Sequence, residues 1–389
     1  MDKRALQLAD EVFEEAADIR RKLHRHPELG YQEVKTSQFI MEYLTGLGLE
    51  VKKGVAVTGV IAILNGGKEG PVIALRADMD ALPIEEKTGA PFASQHPGVM
   101  HACGHDMHMS MLLAAAKALS SNREHVTGTI KFIFQPAEEM LGGGKRMVEE
   151  GALKNPDVDY IFGFHVWPEL PLGTIGFKAG AIMASMDSFD VTLVGKQGHG
   201  AAPHQGIDAI AAAAQIVTAL QTIVSRETDP LDPIVITIGT IEAGTAYNII
   251  PERARLKGTV RTIRPETRQA AAEAVERVIR GVGEAMRVKP EIDYRFFYPV
   301  TANDERFTGQ AASIAEHLFG LERVVWLERP SMASEDFAFY GEKVPGCFAF
   351  LGVGGEHKLH SERFLPDERA MRQGIAMFIA LGLNGISAE

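Results

Sequence analysis

Three short segments of this chain carry side chains that could do metal chemistry. Met100-His101-Ala102-Cys103-Gly104-His105-Asp106-Met107-His108 brings a thiol and several imidazoles into one stretch. Gln135-Pro136-Ala137-Glu138-Glu139 follows further along, and Gly163-Phe164-His165 after that. Thiolates, imidazoles and carboxylates are the ligands of borderline-soft divalent ions. A second carboxylate beside such a site is what a hydrolase needs to take a proton from water.

Each segment also has a plainer reading. Cys103 and His105 alone would suit a packed thiol and a helix-capping imidazole, because free cysteine is mostly core. The density of His101, His105 and His108 shifts the balance toward a metal. His108, one turn past His105, is either a further ligand or a solvated side chain. Glu138 and Glu139 could be an acidic pair favoured at a helix start. On an extended backbone they would point opposite ways, one to ligate and one to face substrate. Gly142-Gly143-Gly144 lacks the Walker lysine and the dinucleotide spacing, and reads as a flexible loop leading into a helix. The turn Gly198-His199-Gly200-Ala201-Ala202-Pro203 either presents His199 as a donor or makes a tight connection. Asn248 alone reads as a turn residue, and His360 as a surface histidine.

The elements around these segments fall into two patterns. An amphipathic helix with Leu6, Ala9, Phe13, Ala16, Ile19 and Leu23 on one face opens the chain. Strands are expected at Val57–Leu64, Val72–Arg76, Thr129–Phe134 and Tyr160–Val166, with a helix at Asp106–Leu119. Their near-continuous apolar runs are those of strands covered on both faces, hence a largely parallel α/β sheet. Asp78, Asp80, Glu138, Glu139 and His165 then emerge at its carboxyl edge, where open α/β sheets bind ligands. From about Met183 the order changes to strand, helix (Ile207–Ile223), two strands (Ile234–Ile241, Ala254–Thr262), helix (Glu266–Met286) and strand (Ile292–Phe296). That βαββαβ order is the ferredoxin-like split motif. A strand at Phe348–Val353 and a last helix from Asp367 return to the first pattern. The expected organisation is a discontinuous α/β catalytic domain, residues 1–183 and 298–389, with a ferredoxin-like α+β domain, 184–297, inserted into it.

Composition narrows the function. The chain has 389 residues, 46% of them apolar and 23% charged, which suits a globular protein of two domains. A net charge of −11 without a basic cluster argues against nucleic acid. No secretory leader pattern opens the chain, no apolar run is expected to span a membrane, and two cysteines exclude a disulfide framework. The cytoplasm is the expected compartment.

Taken together, these segments resemble the aminoacylase/carboxypeptidase family of metallo-amidohydrolases. The branch is that of N-acyl-amino-acid amidohydrolases, hippurate hydrolases and auxin-conjugate hydrolases. The resemblance runs in order through Arg21-Lys22-Leu23-His24-Arg25-His26-Pro27-Glu28-Leu29, Arg76–Pro83, His101–Asp106, Gln135–Glu139, His165–Pro168, Gly198–His204, Asn248–Pro251, Ser334-Glu335-Asp336-Phe337 and His360. It implies five metal ligands, Cys103, His105, Glu139, His165 and His360, with Glu138 as the base acting on water. It further implies His199 as donor to the oxyanion, and Asn248 and Arg261 as holders of the substrate carboxylate. Arg261 also has the reading of a solvated strand arginine. One or two divalent ions per subunit are expected. Zinc suits the mixed donors, and manganese, cobalt or nickel are alternatives. The substrate is a small N-acyl amino acid or a short peptide. The resemblance also implies that the inserted domain is a lid forming the interface of a homodimer or a dimer-based tetramer, with His199 serving the partner's site. Much of the wider family has His-x-Asp where this chain has Arg76-Ala77-Asp78. Asp78 and Asp106 are candidates for orienting the ligand imidazoles.

Overall fold

The structure is a computed structural model that describes residues 3–385. The chain divides into two compact units: Met1–Ile182 with Thr301–Arg329 and Asp336–Glu389, and Met183–Val300 with Pro330–Glu335. The sequence reading puts all of 298–389 in the first unit. The stretch 330–335 goes with the second because its backbone bonds there, Ala184 N donating to the carbonyls of Ser331 (3.0 Å) and Ala333 (2.9 Å).

The first unit opens with α1 (Arg4–Arg25), α2 (Val34–Gly46), β1 (Glu50–Val55), β2 (Gly59–Asn65) and β3 (Lys68–Asp78). It continues with α3 (His105–Ser120), β4 (Thr127–Gln135), α4 (Glu138–Leu141), α5 (Gly143–Glu149), β5 (Tyr160–Trp167), β6 (Ile175–Phe177) and β7 (Gly180–Met183). The second unit holds β8 (Met186–Val194), β9 (Gly198–His199), α6 (Ala209–Thr222), β10 (Ile234–Ala243), β11 (Ile249–Ile250), β12 (Arg253–Thr262), α7 (Pro265–Met286) and β13 (Lys289–Tyr298). The chain then returns to the first through β14 (Thr301–Asn303), α8 (Glu305–Phe319), β15 (Val324–Trp326), α9 (Ala338–Gly341), β16 (Gly346–Gly352) and α10 (Met371–Asn384).

The large sheet runs β1-β2-β4-β3-β5-β16-β6-β15. Its centre, β4, β3, β5 and β16, is parallel. The strands flanking that centre, β2 on one side and β6 on the other, are antiparallel to it. Phe132, Phe134, Phe162 and Phe164 are buried in the centre, as the apolar runs required. The strand expected at Val57–Leu64 starts only at Gly59, because Ala56 and Val57 turn at positive φ. Strand β1 escaped notice because its residues, Lys52 and Lys53 among them, are mostly exposed.

The second unit is an antiparallel sheet, β10-β12-β8-β13, with α6 and α7 packed on it. Phe189, Val191, Leu193, Ile216, Leu220, Leu256, Val275 and Ile279 form its own core. Helix α6 runs on through a π-turn, and Ala209–Glu227 is long and apolar enough to cross a membrane by length and composition. This corrects the expectation that no such run exists. Its Ala209, Ala212, Ala213, Ile216 and Leu220 lie in the core of the unit, which accounts for its apolar composition.

Candidate metal centre

Parallel pairing brings the ends of β3, β4 and β5 to one edge of the large sheet. Asp78 ends β3, Glu138 and Glu139 follow β4, and His165 lies near the end of β5. Cys103 arrives from the loop before α3 and His105 is the first residue of that helix, with Gly104 at φ 85° between them. A Cβ on Gly104 would lie 2.5 Å from Val166 Cγ2, so only glycine fits between these two residues. His360 reaches the cluster from a left-handed backbone, φ 64°, with its N–H on the Ala102 carbonyl at 2.9 Å.

The side-chain tips converge. Cys103 Sγ lies 3.3 Å from His165 Nε2 and 3.3 Å from His360 Nε2. His360 Nε2 is 3.4 Å from Glu139 Oε2, and His105 Nε2 is 3.8 Å from Glu139 Oε1. Ligands at ordinary zinc distances around a tetrahedral ion sit about 3.4 Å apart, so these gaps match a shared ion. Two buried atoms support the fit, since His105 Nε2 and Glu139 Oε1 have no hydrogen-bond partner. Orphaned buried polar atoms are costly unless something else meets them. The donor set of sulfur, nitrogen and oxygen is that of a divalent transition ion.

Two of the imidazoles are aimed by backbone carbonyls. His105 Nδ1 bonds the Asp80 carbonyl at 2.9 Å, and His165 Nδ1 bonds the Val166 carbonyl at 2.7 Å. Each thereby presents Nε2 to the cluster. Burial and the neighbouring His108 hold His165 neutral, as a ligand must be. Burial, with Glu139 and Glu138 nearby, pushes the Cys103 thiol well up. Burial lowers His105, but the carboxylates of Asp78, Asp80 and Glu139 override it and drive His105 up to about 10. The cluster thus calls for positive charge, which a divalent ion held there would supply in place of both protons.

His108 is neither of the things its sequence position suggested. It is buried, bonds Asp78 Oδ1 through Nδ1 at 2.6 Å, and accepts the Val166 N–H on Nε2 at 2.9 Å. Both nitrogens are spent, so it supports the strand end that carries His165. Asp106 orients no ligand imidazole either; its Oδ2 takes Arg20 Nε at 2.7 Å and His24 Nδ1 at 2.9 Å. Glu138 and Glu139 open the short helix α4 after Ala137 at φ 54°, so the extended-backbone argument for their divergence does not apply. The glycines after them are packed, and a Cβ on Gly143 would lie 1.7 Å from the Pro136 carbonyl oxygen. That corrects the flexible loop expected there.

The remaining candidates lie in the second unit. His199 is exposed on β9, which pairs with β11 in a two-stranded sheet. Its Nδ1 accepts the Ala201 N–H at 3.0 Å, so a neutral ring carries its proton on Nε2 and is a donor there. The neighbouring loop meets it where Gly200 N–H bonds the Asn248 carbonyl at 2.8 Å. Arg261, on β12, is half-buried, and its Nη1 donates to Ser334 Oγ at 2.7 Å. It is therefore not the solvated arginine of the alternative reading.

Comparison with known proteins identifies the architecture. The profile of peptidase family M20/M25/M40 matches residues 74–384. The chain belongs to this family. It is 42% identical over 378 residues to an N-acetylcysteine deacetylase of Bacillus subtilis, covering 97% of this chain and 98% of the relative. It is 41% identical to thermostable carboxypeptidase 2 of Saccharolobus solfataricus, over 96% of each chain. A crystal structure of a dinuclear metal-binding M20 peptidase from Bacillus subtilis superposes with a TM-score of 0.84 at 40% identity, covering 97% of this chain and 100% of that one.

In this M20 chain Arg76 stands near the end of β3, beside the cluster. Its guanidinium is buried against Asp78 (2.8 Å), Asp336 (3.1 Å) and Gln135 (2.9 Å). A permanent cation there braces the strand ends and cannot ligate. Asp80, expected at the carboxyl edge of the sheet, has a part there that its residue type did not announce. Its Oδ1 accepts the Glu138 N–H at 3.0 Å and its Oδ2 the Glu139 N–H at 3.1 Å, while its own carbonyl aims His105. The visible signal was the alternation Arg76-Ala77-Asp78-Met79-Asp80, which sends both carboxylates off the strand end.

Proposed function

We propose that this chain is a metal-dependent amidohydrolase that cleaves N-acyl-L-amino acids to a carboxylate and a free amino acid. The observation that carries the reading is Glu138, a carboxylate on the same rigid turn as Glu139 and beside an otherwise complete ligand set. Cys103, His105, Glu139, His165 and His360 would hold the ion. A divalent ion bound there supplies Lewis acidity toward the acyl carbonyl and acidifies water. Glu138 takes the proton of the attacking water as the new C–O bond forms, and passes it to the amide nitrogen as the C–N bond breaks. His199 donates from Nε2 to the oxyanion of the tetrahedral intermediate. Asn248 and Arg261 receive the substrate carboxylate.

Zinc is the ion best suited to sulfur, nitrogen and oxygen together, with manganese, cobalt or nickel as substitutes and a second ion sharing the same cluster. The assembly proposed is a homodimer. In its favour, β10 is an unpaired sheet edge with Val235 and Ile241 exposed, and α6 leaves Ile210 outward. The free, buried state of Cys103 and Cys347 favours a reducing cytoplasm.

A carboxypeptidase or dipeptidase with the same apparatus is the second reading, and the carboxypeptidase relative favours it. A panel of N-acetyl, N-benzoyl and dipeptide substrates, run on protein of measured metal content, separates the two. Faster turnover of N-acyl amino acids supports the deacylase. Preference for dipeptides would reassign the substrate, and no turnover of any would refute the enzyme.

A further inference from the structure

The segment between α1 and α2 touches the chemistry without containing any of it. The Glu28 carbonyl accepts the Ala81 N–H at 2.9 Å, and Leu29 bridges Ala81, just past Asp80. A Cβ on Gly30 would lie 3.1 Å from both Cα and Cβ of Ala137. This segment therefore lies against both strand-end turns that carry the carboxylates.

Glu33 stands at the N-cap of α2 but makes no side-chain cap there. Glu28 does that work, its carboxylate accepting the N–H groups of Lys35 (3.2 Å) and Thr36 (2.9 Å). The Glu33 side chain turns into the interior instead and is fully buried. Its Oε1 accepts the Ala137 N–H at 2.9 Å, and its Oε2 accepts the Thr58 hydroxyl at 2.6 Å. Ala137 is the left-handed residue directly before Glu138. A non-glycine residue in that conformation persists only where its surroundings over-determine it. With Asp80, three consecutive amides, those of Ala137, Glu138 and Glu139, all end on carboxylate oxygens.

We propose that Glu33 is a positioning residue, which fixes the Ala137 turn so that Glu138 and Glu139 leave the backbone in the directions their roles require. For those roles the inference rests on the function proposed above. What Glu33 supplies is an acceptor in a fixed place rather than a charge. Ionised, it accepts from both Ala137 and Thr58; protonated, it donates to Thr58 and still accepts from Ala137. Burial, with Asp80 nearby, raises its carboxyl to about 7, consistent with either form serving.

Glu33→Met keeps the volume and deletes the acceptor, while Glu33→Gln keeps an oxygen for Ala137 and an amide for Thr58. Two readouts are needed: zinc affinity of the metal-stripped protein by chelator competition, and kcat and KM at saturating metal. E33M should bind zinc about tenfold more weakly and lose about tenfold in kcat at unchanged KM. E33Q should stay within about threefold of wild type in both. An E33M protein equal to wild type in both readouts, or an E33Q protein as impaired as E33M, overturns the proposal. If E33M does not fold, Thr58→Val decides, since it frees the second oxygen of Glu33 without changing shape. Zinc affinity or kcat lowered by more than about threefold supports the brace, and values within about threefold of wild type for both overturn it. A wild-type protein that binds zinc but hydrolyses no N-acyl amino acid would refute the function alone, because the zinc arm still judges Glu33.

Discussion

The candidate residues of the two units are held in opposite ways. In the first unit the candidate ligands gather at the carboxyl edge of the sheet, four of them buried or half-buried and backed by other groups, with His360 exposed. Backbone carbonyls aim His105 and His165, Asp80 holds the amides of Glu138 and Glu139, and the Arg76 and Asp336 pair locks the strand ends. In the second unit His199 stands exposed on a two-residue strand, and the contact fixing its ring is the N–H of Ala201. A metal site needs its donors in place before the ion arrives. A donor to an oxyanion needs only to be there when charge develops. The contrast fits the proposed roles, pre-organised chemistry in the first unit and an adaptable contribution from the second.

The largest effect that would break this division is at Glu138. Glu138→Gln should lower kcat by 10²- to 10⁴-fold while metal content, measured by emission spectrometry, stays at the wild-type level. Turnover at the wild-type rate would remove the base from the account. Next in size, His199→Ala should cost about 10²-fold in kcat and change neither metal content nor Tm. Co-expressed with Glu138→Ala, it should recover about a quarter of wild-type activity, because half of randomly paired dimers are mixed and one site in each is whole. No recovery from verified mixed dimers would place the action of His199 within its own chain.

How far the sequence alone could go follows from the same contrast. The central strands were readable because burial on both faces writes itself as apolar runs such as Val72-Ile73-Ala74-Leu75. The convergence of Cys103, His105, Glu139, His165 and His360 on one cluster was foreseeable because their types are chemically distinctive. The strand β1 was not, since its lysines face outward. Nor was the fate of His108, which depends on the Val166 amide, a partner distant in sequence. Backbone carbonyls leave no trace in residue type, so nothing in the sequence could name Asp80 or Val166 as the groups that aim the imidazoles. The left-handed turn at Ala137 was hidden for the same reason: alanine does not advertise positive φ.

Two smaller effects sharpen the comparison. Asp78→Asn weakens the acceptor behind His108 and should reduce zinc affinity about tenfold in a chelator competition, the scale expected for outer partners of a metal site. Unchanged affinity would show that the ends of β3 and β5 need no such support. Asp208 caps α6 through the N–H groups of Ile210 (2.9 Å) and Ala211 (3.0 Å). Asp208→Ala should cost about 1 kcal/mol in urea denaturation and leave metal content untouched. Loss of metal from this variant would contradict the separate organisation of the two regions.

The central claim is that Cys103 joins the histidines and Glu139 around one ion, and cobalt reports on that directly. Metal-stripped protein titrated with cobalt(II) should develop a thiolate-to-cobalt charge-transfer band in the near ultraviolet. Cys103→Ser should abolish the band, while Cys347→Ser should retain it. A cobalt-loaded wild type without the band, or a band that survives Cys103→Ser, would contradict the assignment of this cluster as the metal centre.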